Sequence, residues 1–121
     1  MGIKLEGFVE LTNKLNKSIS EVFDTVEDAL LDCGNDLQQE AQDLTPVDTG
    51  ALRGSAFTET ESGSNPSVIV GFDEEYAIYV HENLEAHHPV GQAKFLEQPL
   101  NENKDKYVDY IGKKVDDLLN K

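Results

Sequence analysis

A long apolar stripe near the start of the chain constrains its fold more than any other feature. Apolar residues recur at steps of three and four from Phe8 to Leu44, which is the spacing of an amphipathic helix. Pro46 disfavours helical geometry at Thr45 and ends the helix. A helix over residues 18–44 would be roughly 40 Å long. That exceeds what a chain of 121 residues needs for its own packing, so we predict contacts outside the subunit.

Two short segments after this helix have the composition of strands. Residues 56–61 alternate in polarity, residues 67–72 are rich in β-branched residues, and the turn cluster 62–66 separates them. The pattern predicts a β-hairpin. Because two strands alone are marginally stable, the hairpin must pack on the long helix or join strands from another copy.

The second half of the chain predicts two further helices. Residues 76–82 favour one or two helical turns, with a strand as the alternative. Residues 83–92 read as a loop. Apolar spacing from Ala93 onward outlines a closing helix, with Pro99 near its first turn or at a kink.

The predicted fold class is therefore α+β. A long N-terminal helix precedes a β-hairpin or small antiparallel sheet, a short helix, and a C-terminal helix packed on the sheet. We expect one domain over residues 1–121, in which residues 1–17 form a flexible or helical N-terminal extension. Cys33 lies in the apolar stripe and is expected to be a buried small hydrophobe.

The charge of the chain is concentrated in its middle. The net charge is −14, and residues 18–93 hold sixteen acids against a single cation, Arg53, which is the only arginine. Such a field repels nucleic-acid backbones and disfavours sequence-specific DNA binding. One interpretation is that the acids form a solvated surface. The other is that they form a face that docks a basic partner or lines a passage to which polyanions must not adhere. No apolar run approaches the ~20 residues that span a bilayer, so no membrane partner is expected.

Neither an enzyme nor a metal protein is indicated. His81 and Glu82 begin a metalloprotease-like pattern, but Glu85 stands where the second histidine is required. His87 and His88 lie in a loop and are not expected to converge on one ion with His81. The chain has no nucleophile elbow and no phosphate-binding glycine loop followed by lysine. We predict no catalytic residue, no cofactor and no metal, and the role of the three histidines stays open.

The segment after the long helix has a mechanical interpretation. Asp48 or Thr49 is expected to cap the next turn, and Gly50 to permit a tight approach. Leu52 should then point inward. Arg53, alone among carboxylates, is predicted to pair with Glu82 or with an acid of the long helix such as Asp43.

Two motifs resemble a family of small proteins of long-tailed bacteriophages. They are TPVDTGALRGS at residues 45–55 and YAIYVHE at residues 76–82, followed by HHPVGQAKFLEQPL at residues 87–100. These resemble the tail-component and minor-capsid proteins of the HK97 gp10 type. Asn83 departs from the glycine that often follows the second motif there. The residues that match as a structural or assembly motif are Pro46, Asp48, Thr49, Gly50, Leu52, Arg53, Ser55, Tyr76, Tyr79 and Glu82.

The resemblance implies a structural virion protein that acts at the phage head–tail junction. It would be a tail completion or terminator protein, or a minor capsid component. It would assemble in the bacterial cytoplasm as a homo-oligomeric ring, possibly a hexamer, and contact head–tail connector and tail-tube proteins. No catalysis is expected. The alternative is an acidic, non-enzymatic adaptor or inhibitor module that binds a basic protein partner.

Overall fold

The computed structural model describes residues 1–5, 19–46, 50–63, 65–85 and 91–120. Within these residues the chain forms an α+β fold, the predicted class. Its elements are β1 (Gly2–Leu5), α1 (Ile19–Leu44), α2 (Ala51–Gly54), β2 (Ala56–Glu61), β3 (Ser67–Phe72), α3 (Ala77–Glu82) and α4 (Glu97–Leu119).

The strands form one antiparallel sheet in the order β1-β3-β2. The predicted hairpin is confirmed, with Ala56 paired to Phe72 and Glu61 to Ser67. The expectation that residues 1–17 would be flexible or helical is wrong for residues 2–5, which pair with residues 68–71 of β3. Four residues are too short to show a reliable period, and the strand is held by partners far along the chain.

Helix α1 contacts the sheet through its backbone at Gly34. A Cβ atom there would lie 2.6 Å from Cγ2 of Val68 and 2.8 Å from Cγ2 of Thr58. The Thr58 hydroxyl donates from Oγ1 to Gln38 Oε1 at 2.6 Å, and the same oxygen lies 3.3 Å from the Gly34 carbonyl oxygen. Glycine at this position lets the helix approach β2 and β3 closely.

Helix α4 makes its main contacts with α1, not with the sheet on which we expected it to pack. Its buried residues include Tyr107, Ile111 and Val115. The Tyr107 hydroxyl donates to Asp36 of α1 at 2.7 Å. Helix α1 already covers the inner face of the sheet. The side of α1 that faces away from the sheet is therefore the apolar surface left for α4. Pro99, the third residue of α4, lies in the first turn, where no helical partner for its nitrogen is needed.

The hydrophobic core lies around α1. Cys33 is buried there, 2% exposed, as the apolar stripe predicts. Burial, assisted by Asp32 and Asp36, raises the pKa of its thiol to about 11, so the thiol stays protonated and unreactive at neutral pH.

Candidate assembly site

The first motif begins where α1 ends, at a corner in which carbonyls of the last helical turn accept hydrogen bonds from outside the helical ladder. Thr45 donates from Oγ1 to the Ala41 carbonyl at 2.6 Å. The backbone N–H of Gln92 donates to the Leu44 carbonyl at 2.8 Å. These bonds replace the intrahelical partners that a helix end lacks. The end of α1 is thus closed by neutral donors, although Asp43 lies in its last turn.

A tight contact between two loops fixes this corner. Gly91 has a φ of 87°, in the left-handed region. A Cβ atom at Gly91 would lie 2.6 Å from the nitrogen of Pro46, which is itself buried. Residues 91–92 therefore pack directly on the backbone of the first motif, which explains why a glycine stands there.

Helix α2 forms the rest of the corner. Gly50 has a φ of 81° and directly precedes α2. Among the described residues nothing lies within 4 Å of a Cβ atom built there, so they do not show the tight approach that we expected. Leu52 is 5% exposed, in agreement with its predicted inward orientation. Ser55 closes the turn by donating from Oγ to the Leu52 carbonyl at 2.8 Å. The capping role predicted for Asp48 or Thr49 lies outside the described residues.

The predicted ion pair of Arg53 is absent from the described part of the chain. The Arg53 Nε is buried and has no hydrogen-bond partner there. Glu82 pairs with Lys94 instead, and Asp43 accepts from Gln39 Nε2 at 3.2 Å. Asp43 thus has its partner within α1, and Glu82 has its partner in the segment that precedes α4.

The second motif places a buried histidine at the start of α4. His81 is 4% exposed, and its Nδ1 lies 2.9 Å from Glu82 Oε1. Its Nε2 accepts the backbone N–H of Glu97 at 3.1 Å. Since Nε2 is an acceptor, Nδ1 carries the proton and donates to Glu82. His81 thus supplies the acceptor that the first turn of α4 needs.

Lys94 completes the connection between α3 and α4. Its Nζ pairs with Glu82 and, at 3.1 Å, with Glu97. Its backbone N–H donates to the His81 carbonyl at 2.8 Å. Lys94 has a φ of 56°, a left-handed conformation that non-glycine residues rarely adopt. The hydrogen bonds from Lys94 and His81 lower the pKa of Glu82, and those to Glu82 and Glu97 raise the pKa of Lys94.

One group of side chains in the described residues has the spacing of metal ligands. Donor atoms of His81, Glu82 and Glu97 lie within 4.8 Å of one another. Each of them already has a partner, because both carboxylates bind Lys94 and both ring nitrogens of His81 are used. A metal ion would have to displace the Lys94 ammonium. His87 and His88 lie outside the described residues.

The outer side of α3 is apolar and exposed. We call Tyr76, Ile78, Tyr79 and Leu84 the α3 patch; their exposed fractions are 44%, 57%, 74% and 72%. A groove of about 410 Å³ runs along Ile78 and Tyr79, with Glu82 and Asn83 as its polar wall. The α3 patch therefore offers a surface that another protein could cover.

Sequence reasoning found only part of this surface. The helical interpretation of residues 76–82 puts Tyr76, Tyr79 and Val80 on one face, but Val80 is half-buried and packs against the core. The buried side of α3 is formed by Ala77 and His81, four residues apart. The spacing of Ala77 and His81 could have predicted the buried side of α3 from the sequence. Ile78, one residue after Ala77, then lies on the exposed side.

A profile of the family described as "Bacteriophage HK97-gp10, putative tail-component" matches residues 10–82. The matched range includes the corner after α1, the β-hairpin and α3, and ends before α4. Since it covers more than half of the chain, this protein belongs to that family of bacteriophage tail components. No curated protein and no solved structure matches the chain. No helix in the described residues is long and apolar enough to cross a membrane.

Proposed function

We propose that this protein is a structural subunit of the phage head–tail junction and acts by assembling into a homo-oligomeric ring without catalysis. The observation that carries the proposal is the α3 patch, three of whose four residues lie within the second motif, residues 76–82. Of the seven large hydrophobic side chains exposed among the described residues, four belong to this patch. Solvent exposure of such a cluster is unfavourable, and its burial against another subunit would favour association.

The composition of the patch suits a protein interface. Tyrosine is enriched in the centres of interfaces because it buries a large rigid area and keeps a polar end. Tyr79 is the most exposed large hydrophobic residue described, and Ile78 beside it lines the same groove. Glu75, Glu82 and Glu85 are exposed in the same segment of the chain and would form the polar rim.

The acids of α1 suggest what such a ring would enclose. Glu21, Asp24, Asp28 and Asp32 are exposed along one helix. We propose that they face the central passage, where their charge would let DNA move without adhering. A structure of the ring with these acids on its outer surface would refute this assignment.

The proposal is tested by replacing the two most central residues of the α3 patch. We expect Tyr79→Ser and Ile78→Ser to weaken self-association by roughly 5- to 30-fold each, as for central interface residues. Val108→Ser is the matched control, because Val108 is 53% exposed on α4, outside the patch. Sedimentation velocity over a concentration series measures the association. Electron microscopy then shows whether the particles are rings.

The unfolding midpoint of both variants should stay close to that of the wild type, because these side chains are exposed in the subunit. A wild-type chain that stays monomeric alone and on mixing with tail-tube and connector proteins would contradict the proposal. The excess of sixteen acids over one cation in residues 18–93 favours a second candidate, an acidic adaptor. A persistent monomer that binds a basic cellular protein tightly would support that candidate instead.

A further inference from the structure

We infer that copies of this chain associate by strand addition, in which β1 of one copy pairs in parallel with the outer edge of β2 of the next copy. The inference rests on the proposed function and deepens it, because it names a main-chain contact between neighbours in the ring. It requires that both strands lie at the edges of the sheet, and that their direction and charge suit each other.

Strand β2 has an open outer edge. In the part of the chain that the structure describes, β2 pairs with β3 alone. The N–H of Asp73 donates to the Ser55 carbonyl at 3.1 Å, and hydrogen-bonded pairs alternate along two antiparallel strands. Glu59 therefore faces β3 with its backbone groups, while the N–H groups of Thr58 and Thr60 point away from β3. Such a row of donors and acceptors is a template for another strand.

An exposed apolar side chain lies beside this edge. On α1, Leu31 stands four residues after Glu27 and three before Gly34, so the three share one side of the helix. Glu27 accepts a hydrogen bond from Ser62, just past the end of β2. Gly34 packs on Thr58 within β2. Leu31, which is 38% exposed, therefore lies along β2, and a strand added there would cover it and gain from its burial.

The occupant is the opposite edge strand of another copy. Strand β1 forms the other edge of the described sheet, and both β1 and β2 run antiparallel to β3. The two edge strands therefore run in the same direction. A neighbour that continues the sheet keeps that direction and presents its β1 to β2 in parallel. Because this contact uses different surfaces on its two sides, it repeats from copy to copy and closes into a ring.

Charge selects this pairing over the others. Glu59 and Glu61 are exposed on β2, and Lys4 is the one charged residue of β1. Two β2 strands that paired about a twofold axis would bring these glutamates together, which is unfavourable, whereas β1 brings a lysine towards them. Acids on an edge thus reject a like edge and accept a strand of opposite charge.

The overall repulsion between copies acts at longer range than this contact. Each copy has a net charge of −14, but residues 1–17 hold three lysines against two glutamates. The end of the chain that holds β1 therefore approaches the acidic edge of β2 without adding to the repulsion. At physiological ionic strength, charges more than ~8 Å apart are largely screened, whereas paired strands lie only about 5 Å apart. Salt therefore weakens the repulsion more than the edge contact.

The first test removes one outward N–H of β2. Thr60→Pro does so and leaves the bonds to β3 in place, because the Thr60 nitrogen faces away from β3. We expect self-association, measured by sedimentation velocity, to weaken roughly tenfold or more, since a carbonyl of the added strand loses its donor. Thr60→Val is the matched control; it keeps the N–H, suits a strand and should associate like the wild type.

Hydrogen exchange of the wild-type chain tests the same contact without relying on how a variant folds. The amides of Thr58 and Thr60 should exchange roughly tenfold more slowly, or slower still, in a concentrated, assembled sample than in a dilute one. If Thr60→Pro lowers the unfolding midpoint of the subunit, this measurement decides alone.

Charge reversal identifies the strand that pairs with β2. Glu59→Lys should weaken association relative to Asp105→Lys, which makes the same change of charge at an exposed position of α4. If β2 paired with β2 of another copy, Glu59→Lys would instead associate more tightly than Asp105→Lys.

Other results would overturn the inference. A Thr60→Pro chain that assembles like the wild type would refute it and leave the proposed function standing, as would equal exchange of the two amides in both samples. Protection of these amides only after a tail-tube or connector protein is added would assign the edge to that protein and not to a second copy. A wild-type chain that never associates at any concentration would remove both the inference and the proposed ring.

Discussion

Gly34 and Gly112 occupy the interiors of the two long helices, but only one of them has room for a methyl group. A Cβ atom at Gly34 would lie within 2.8 Å of side-chain atoms of both Val68 and Thr58. A Cβ atom at Gly112 would meet nothing within 4 Å. Gly34 therefore allows close packing of α1 on the sheet. Gly112 in α4 allows no close contact that the described residues show.

This difference predicts opposite signs for one substitution. Gly34→Ala should lower the unfolding free energy by about 1 kcal/mol or more, because overpacking costs ~1–3 kcal/mol and exceeds the helix propensity gained. Gly112→Ala should raise it by about 0.5–1 kcal/mol. Urea denaturation of both variants measures the effect. A stabilised Gly34→Ala would mean that α1 can move away from the sheet at no cost.

At the scale of elements, the stability of the contact between α3 and α4 depends on pH. Hydrogen bonds from Lys94 and His81 hold the pKa of Glu82 below its ordinary value of 4.5. A group whose pKa is lowered by folding stabilises the fold above its unfolded pKa, and the stabilisation is lost as pH falls through the folded pKa. The contact should therefore weaken below about pH 4.5.

Glu82→Gln should make the loss of stability between pH 5 and pH 3 shallower than in the wild type, roughly as linkage requires. Glu85→Gln is the control, because it removes the same charge at an exposed position that has no ion pair with a described residue. Urea midpoints measured across this pH range give the slopes. Equal slopes in Glu82→Gln and the wild type would show that the cluster does not contribute to acid stability.

The elements that sequence could predict are those with a strong local pattern. Helix α1 was expected over residues 18–44 and spans Ile19–Leu44, and the two strands of the hairpin have the predicted bounds. Strand β1 escaped prediction because it depends on pairing with distant residues. The packing of α4 on α1 escaped it too, because an apolar stripe does not say which surface will cover it.

Side-chain partners in the site were harder to predict than elements. The pairing of Arg53 was inferred from charge alone. Glu82 pairs with Lys94 instead. Lys94 has a left-handed backbone conformation, which the sequence does not predict. His81 was left without a role, and its burial depends on the ring of Phe95, which stands 5.0 Å away edge to face. Such contacts are fixed by the tertiary structure, which the spacing of residues along the chain does not determine.

For the whole molecule, the net charge of −14 works against a compact state. Added salt should therefore stabilise the subunit, since the screening length falls from about 30 Å at 10 mM to about 8 Å at 150 mM ionic strength. We expect the thermal midpoint of a dilute, monomeric sample to rise over this range. Potassium and sodium chloride should act alike. A midpoint that falls with salt would mean that attractive ion pairs outweigh the repulsion.

The position of β1 has a consequence for the order of events during synthesis. Its partners on β3 lie more than sixty residues further along the chain. At roughly 5–20 residues per second, a ribosome releases β3 several seconds after β1. The sheet therefore cannot close until the hairpin has emerged. Among the elements described, α1 is the one long element that has left the ribosome in that interval, and its apolar stripe is open to the chaperones of the host.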